Sequence, residues 1–365
     1  MSPIERIWWR RDEALLVRAL LSPLVVAEGL FRLGAAVRGA LYDLGLARVA
    51  RPPVPVVSVG NLTVGGAGKT PAAIAIGARL AALGRTVAVL SRGYGARRTD
   101  DRVVSDGRAL LLGAAEGGDE PVLVARRLPG ARVLCGPRRA TLAIRAVEDL
   151  GADVLLLDDG FQHRALARDL DVVVLDVSNP FGNGHCLPRG PNREPRSALR
   201  RAGLVWLARV DEAAPGDPGP ERLRDLAIRL TGRPPVESRH APRDVLDGAL
   251  SRSLGLPWLA GRRLLLLSGL ARPESFRRTA TGLGAVVAAE RVYPDHHPFD
   301  DAELREALAA AGSAGCDAVL LTEKDAMRLS PERARDERLR VLRIEAEVVA
   351  GAASLDSALE DLLSP

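Results

Sequence analysis

The sequence predicts an α/β protein: a P-loop NTPase-like parallel sheet domain followed by a second, smaller α/β domain. Three observations lead there. Short β-branched runs alternate with helical stretches along the chain, the pattern of strands joined by crossover helices. A glycine-rich loop, SVGNLTVGGAGKTP (58–71), lies between one such run and a helix. After a proline- and glycine-rich stretch at 211–237 the alternation begins again. With 365 residues, 47% of them hydrophobic, the chain can bury two cores.

Residues 1–50 come first; within them 14–50 are rich in Leu, Val and Ala and are punctuated by Arg18, Glu28, Arg32, Arg38, Asp43 and Arg48. The longest charge-free run, Ala19 to Ala27, contains Pro23. A bilayer span needs about 20 apolar residues, so a crossing helix is not expected. Apolar surface beside arginines, Trp8 and Trp9 suits a helix lying in a membrane interface. A helix pair packed on the domain fits the same residues.

The P-loop domain is expected over 51–210. VPVVSVG supplies a strand, PAAIAIGARLAALG the following helix, and TVAVLSRGYG, RVLCG, ADVLLLDDGFQH and LDVVVLDV further strands. Residues 211–237 read as a linker and 238–365 as the smaller domain, with strands in RRLLLLSGL, GAVVAAERVYPDHHP, CDAVLLTEKDA and RLRVLRIEAEV. The C-terminal end is expected to be able to pack back on the first domain.

The loop carries the chemistry. Backbone N–H groups at a helix N-terminus surround phosphate oxygens, a lysine reaches the terminal phosphates and a hydroxyl ligates magnesium. Gly65, Gly66, Ala67, Gly68, Lys69 and Thr70 supply these parts in order; Thr63 stands where the consensus GxxxxGK[ST] has glycine. A phosphate-bound magnesium needs a carboxylate at a neighbouring strand end, and VLLLDDG offers Asp158 and Asp159. SRGYG puts Arg92 at a strand end, suited to a phosphate or charged substrate. GGDEP sets Asp119 and Glu120 on a tight turn, and YPDHHPF presents Asp295, His296 and His297. Surface turns would explain both segments, but carboxylate plus imidazole is also a competent pair for a hydroxyl proton.

The bulk numbers narrow the setting. Three cysteines lie far apart, with no CxxC pair, so neither a disulfide framework nor a Cys-based zinc site is indicated and a reducing, cytoplasmic setting is expected. The charge of +5 suits nucleic acid, anionic membrane or a phosphorylated substrate. With 3% aromatic residues and no basic run interleaved with aromatics, no nucleic-acid partner is expected. Among 51 basic residues only Lys69 and Lys324 are lysines. Lys324, in TEKD, receives no role from the sequence.

The motifs VGNLTVGGAGKTP, LSRGYG, GDEP, LLDDGFQHRALARDLDVVVLD, FGNGHCLPRGPNREP, LSGLARPESF, YPDHHPF and LLTEKDA together resemble those of the tetraacyldisaccharide 4'-kinases, which phosphorylate the lipid A precursor of Gram-negative bacteria. The resemblance covers most of the chain, and Thr63 is ordinary for that family. It implies transfer of the ATP γ-phosphate to the 4'-hydroxyl of a tetraacyl disaccharide 1-phosphate at the cytoplasmic face of the inner membrane, with residues 1–50 docking there and no obligate protein partner. By motif matching, Lys69 would stabilise the transferring phosphate, Thr70 with Asp158 and Asp159 would organise Mg2+, and Asp119 would be the base with His296 assisting. Glu120 and Glu194 would lie near the nucleotide or metal. Asp119 and His296 would meet only on domain closure. The rival reading is a P-loop switch or partitioning ATPase or GTPase, which has no need of DHHP in a second domain.

Overall fold

Short apolar runs, most of them buried, together with two longer half-buried segments fold into one sheet of 12 strands in the computed structural model, which describes residues 7–9, 21–93, 96, 100–213 and 216–364. The strands are β1 (Val56–Gly60), β2 (Val87–Ser91), β3 (Arg102–Asp106), β4 (Arg132–Cys135), β5 (Val154–Asp158), β6 (Leu170–Asp176), β7 (Leu204–Ala208), β8 (Val236–Asp247), β9 (Arg263–Ser268), β10 (Val286–Val292), β11 (Ala318–Thr322) and β12 (Leu339–Ala350). Their spatial order is β10-β9-β11-β12-β8-β7-β6-β1-β5-β2-β4-β3. All pairs are parallel except β3 with β4 and β8 with β12. Full burial of β1, β2, β5 and β7 on both faces explains their unbroken apolar runs.

The helices used below are α1 (Pro23–Asp43), α2 (Lys69–Ala82), α3 (Asp119–Arg127), α4 (Arg139–Glu148), α5 (Gly219–Thr231), α6 (Pro273–Gly282), α7 (Asp301–Ser313) and α8 (Ala352–Leu363). Cores lie on both faces of each half of the sheet. Val57, Val59, Ile76, Leu156 and Trp206 anchor one in the first half, and Leu264, Leu266, Phe276 and Leu320 one in the second. Leu355 and Leu359 of α8 are buried in the first-half core, so the chain's end returns there. Residues 211–237 are more than a connector. Helix α5 buries Leu223 and Ala227 beside Val205 and Leu207, because the Pro/Gly-rich stretch flanks an amphipathic segment rather than filling the interval.

The two halves are joined by β8 and β12. β8 pairs with β7 through Trp206↔Val236, and β12 pairs with β11 through Val319↔Leu339. Between these ends the two strands run antiparallel as a largely half-buried ribbon, from Glu237↔Ala350 to Asp247↔Arg340.

α1 is apolar on two sides. Leu24, Ala27, Phe31, Ala35 and Tyr42 turn toward the body, while Val26, Leu30, Leu33, Val37, Leu41 and Leu44 form an exposed stripe at helical spacing. Among the described residues no helix is long and apolar enough to cross a membrane. Trp8 and Trp9 are not part of that stripe, contrary to the sequence expectation. The Trp8 indole N–H donates to the Pro188 carbonyl (3.0 Å), Asn183 N donates to the Trp8 carbonyl (2.8 Å), and Trp9 lies under Arg272. A buried indole N–H seeks an acceptor and an indole face attracts a guanidinium, and here the protein supplies the first to Trp8 and the second to Trp9. Residues 1–6 and 10–20 of the expected docking segment lie outside the described residues.

Candidate active site

β1 delivers the loop at its carboxyl end and α2 receives it. Gly65 (φ 88°) and Gly68 (φ 86°) take left-handed backbone that side chains disfavour, which turns the chain into the helix. Thr63 has no such conformation. It is buried, its hydroxyl accepts from Asn61 Nδ2 (3.1 Å), and its backbone bridges to Asn192, so a glycine is not required there. The loop is braced by Val64 N donating to the Pro191 carbonyl (2.8 Å) and by Arg209 Nη2 donating to the Gly66 carbonyl (2.8 Å). Lys69 Nζ lies 3.2 Å from Asn61 Oδ1 and 3.5 Å from Asp159 Oδ1.

β5 ends on the paired acids, whose environments differ. Asp159 (φ 55°) is gripped by Arg193 Nη1 at 2.7 Å; burial would raise its pKa, but Lys69 and Arg193 hold it well below the usual range. Asp158 is buried, and its Oδ1 has no hydrogen-bond partner among the described residues. Burial, with the charges of Glu120 and Asp159, pushes its pKa up to about 7. Arg92 stands exposed after β2, and its charge reaches Asp159 and Arg139. Tyr94 and Gly95 of the same motif lie outside the described residues.

The second cluster is built where the halves meet. Asp119 opens α3, and its carboxylate takes Arg328 Nε at 2.7 Å and His296 Nδ1 at 3.0 Å. Burial alone would raise its pKa; the His296 hydrogen bond and the charges of Lys324 and Arg328 outweigh that and hold it far below normal. His296 sits in left-handed backbone (φ 61°), a strained conformation typical of functional positions. Its Nε2 is 3.0 Å from Lys324 Nζ, which also contacts Glu120 (3.2 Å) and Asp295 (3.3 Å). Arg328 is fixed from behind by Asp325 at 3.1 Å.

The structure therefore brings Asp119, Glu120 and His296 into one cluster, and Glu120 links it electrostatically to Asp158 and so to Lys69. Asp119 and His296 are already in hydrogen-bond contact, so their meeting needs no further closure. His297 is elsewhere: it pairs with Glu303 at 2.8 Å and stacks on Tyr293. Glu194 is also set apart. It lies in the segment paired with the loop, but its carboxylate is held by Arg201 at 2.5 Å, an arginine stacked over Phe161. Glu120 contacts Lys324 at 3.2 Å, and its charge is felt at Asp158. Sequence reasoning missed Arg193, Arg209 and Arg328, since arginines are everywhere in this chain; Lys324 was marked only by the rarity of lysine.

The comparisons with known proteins agree with one another. A family model described as tetraacyldisaccharide-1-P 4'-kinase matches residues 18–364. A protein named tetraacyldisaccharide 4'-kinase from Anaeromyxobacter sp. (strain Fw109-5) is 67% identical over 370 residues, covering 100% of this chain and 99% of the relative. One of the same name from Syntrophus aciditrophicus is 42% identical over 82% of each chain. A crystal structure of LpxK from Aquifex aeolicus in complex with ATP is similar with a TM-score of 0.75 and 28% identity, covering 94% of this chain and 100% of that one.

Proposed function

Since the chain belongs to the tetraacyldisaccharide-1-P 4'-kinase family and is an ATP-dependent kinase of lipid A biosynthesis, we propose how its own residues carry out the transfer. The amides of Gly65 to Thr70 cradle the ATP phosphates at the start of α2, and Lys69 neutralises charge on the group in transit. Thr63 and Arg92 border this cradle. The orphaned, buried Asp158 Oδ1 suits a hard cation, so Thr70 and Asp158 would hold Mg2+, with Asp159 keeping Lys69 and Arg193 in register. When bound, magnesium supplies positive charge to the phosphate oxygens.

The single observation that carries the mechanism is the 3.0 Å contact between Asp119 of the first half and His296 of the second, beside Glu120, whose charge is felt at Asp158. The 4'-hydroxyl oxygen attacks the γ-phosphorus, the bond to the ADP oxygen breaks with its electron pair on ADP, and the Asp119–His296 pair takes the hydroxyl proton. The exposed stripe on α1 holds the enzyme to the cytoplasmic face of the inner membrane, where an acylated substrate resides. The family assignment favours this kinase over a switch-type ATPase or GTPase.

The test incubates the full chain with radiolabelled ATP and a tetraacyl disaccharide 1-phosphate and follows label into the lipid fraction. We expect lipid-dependent labelling that Lys69→Ala abolishes. Phosphate release that ignores added lipid would overturn the reading.

A further inference from the structure

Lys324 lies in neither the phosphate loop nor the acid–imidazole pair, yet it is one of the chain's two lysines and it touches the ring of His296. An ammonium carries three N–H donors and no acceptor. Three acceptors surround Lys324 Nζ: His296 Nε2 at 3.0 Å, Glu120 Oε1 at 3.2 Å and Asp295 Oδ1 at 3.3 Å. A donor-only group can satisfy His296 Nε2 only if that nitrogen presents its lone pair. The ring hydrogen must then sit on Nδ1, which faces the Asp119 carboxylate at 3.0 Å. Asp119 is otherwise filled by Arg328 Nε at 2.7 Å and by Glu120 N at 2.9 Å, both donors, so it too is confined to accepting.

Resting on the kinase reading above, we infer that Lys324 is a positioning residue: while Asp119 keeps the ring hydrogen on Nδ1, the Lys324 hydrogen bond keeps Nε2 unprotonated, its lone pair available to the arriving hydroxyl. Glu120 and Asp295 flank the ammonium at 3.2 and 3.3 Å, and opposite charges that close favour its protonated, donor-only form. Nε2 is also the ring atom on the Glu120 side (4.0 Å), toward the phosphate loop. In the transfer step the hydroxyl takes the place of one ammonium hydrogen and gives its proton to Nε2 as the oxygen–phosphorus bond forms. The Nδ1 hydrogen stays on the ring against Asp119, and the ammonium stays held by Glu120 and Asp295.

Two substitutions separate the hydrogen bond from the charge. Lys324→Met removes every donor while keeping an apolar stem, and Lys324→Gln keeps N–H donors without the positive charge. The tautomer is read from nitrogen-15 spectra of histidine-labelled full chain, feasible with five histidines. We expect one ring with a bare Nε2 and protonated Nδ1 in the wild type and in Lys324→Gln, and loss of that signature in Lys324→Met. We expect kcat to fall about 30-fold in Lys324→Met, a part of what general-base catalysis contributes, and less than about 5-fold in Lys324→Gln, with KM for ATP within about 2-fold in both. In a His296→Ala background Lys324→Met should add no more than about 2-fold. An unchanged tautomer in Lys324→Met, equal losses in the two variants, or a full further loss without His296 would overturn the inference. Should Lys324→Met not fold, Lys324→Arg decides, because a guanidinium is also donor-only and must keep the bare Nε2 and protonated Nδ1; loss of that signature there would overturn the inference. The spectra need no turnover, so they remain informative if wild-type chain labels no lipid, the outcome that would sink the kinase reading instead.

Discussion

Asp158 and Asp159 are neighbours in sequence with opposite electrostatics, and the difference has a measurable consequence. The Asp158 carboxyl is raised from an ordinary 3.8 to about 7 by burial and by Glu120 and Asp159. The folded state therefore binds a proton that the unfolded chain has released. This group's stabilisation is complete below about pH 4 and is lost as pH rises through about 7. We expect Asp158→Asn to match the wild type near pH 4 and to exceed it by up to about 4 kcal/mol at pH 8, measured by urea unfolding without magnesium. A pH-independent difference would show that the carboxyl is not strained by its surroundings. Lys69, Asp158 and Asp159 were legible in the sequence because a phosphate loop and a strand-end carboxylate are tied to local spacing. Arg193 and Arg328 were not, because an arginine 34 residues from Asp159, or 209 from Asp119, becomes a partner only through the fold.

At the scale of elements, α1 is both surface and brace. Glu28, buried on its inner side, accepts from Cys186 N at 2.9 Å and pairs with His185 Nδ1 at 2.9 Å. Those residues begin the segment that returns through Asn192 to bridge Thr63. Glu28→Ala leaves a buried N–H without its acceptor, and we expect a loss of about 1–3 kcal/mol with weaker ATP binding in calorimetry. Intact ATP affinity would mean that the segment holds the loop unaided. On the outer side, Leu30→Gln, Leu33→Gln and Val37→Gln together should cut co-sedimentation with anionic vesicles by about tenfold or more while sparing activity on detergent-dispersed lipid, since burial of each side chain is worth about 1.5–3 kcal/mol. Unchanged sedimentation would move the lipid contact elsewhere. The strands of the P-loop half were largely readable because buried parallel strands are continuous apolar runs. β8 was not, because its HAPRD centre is polar and half-buried, and its role is set by β12, about a hundred residues later.

At the scale of the molecule, the halves are latched as well as joined. Arg127, at the end of α3, donates to Glu323 Oε2 (2.8 Å), to Glu345 Oε1 (2.6 Å) and to the Ile344 carbonyl (3.2 Å). Glu323 is also held by Arg343 at 2.7 Å. Removing Arg127 leaves a buried carboxylate with one partner fewer, and we expect Arg127→Ala to cost about 2 kcal/mol in denaturant unfolding. An unmoved midpoint would mean that the latch carries no net energy. The ribbon between the halves has its own weak point. Pro242 has no backbone N–H to give, and the β8–β12 register shifts beside it, between Arg343 and Ile344. A two-stranded tape with a missing rung bends most easily at that rung. Any strain between the lobes would thus concentrate within a few peptide units, leaving the phosphate cradle and the imidazole each undistorted on its own part of the sheet.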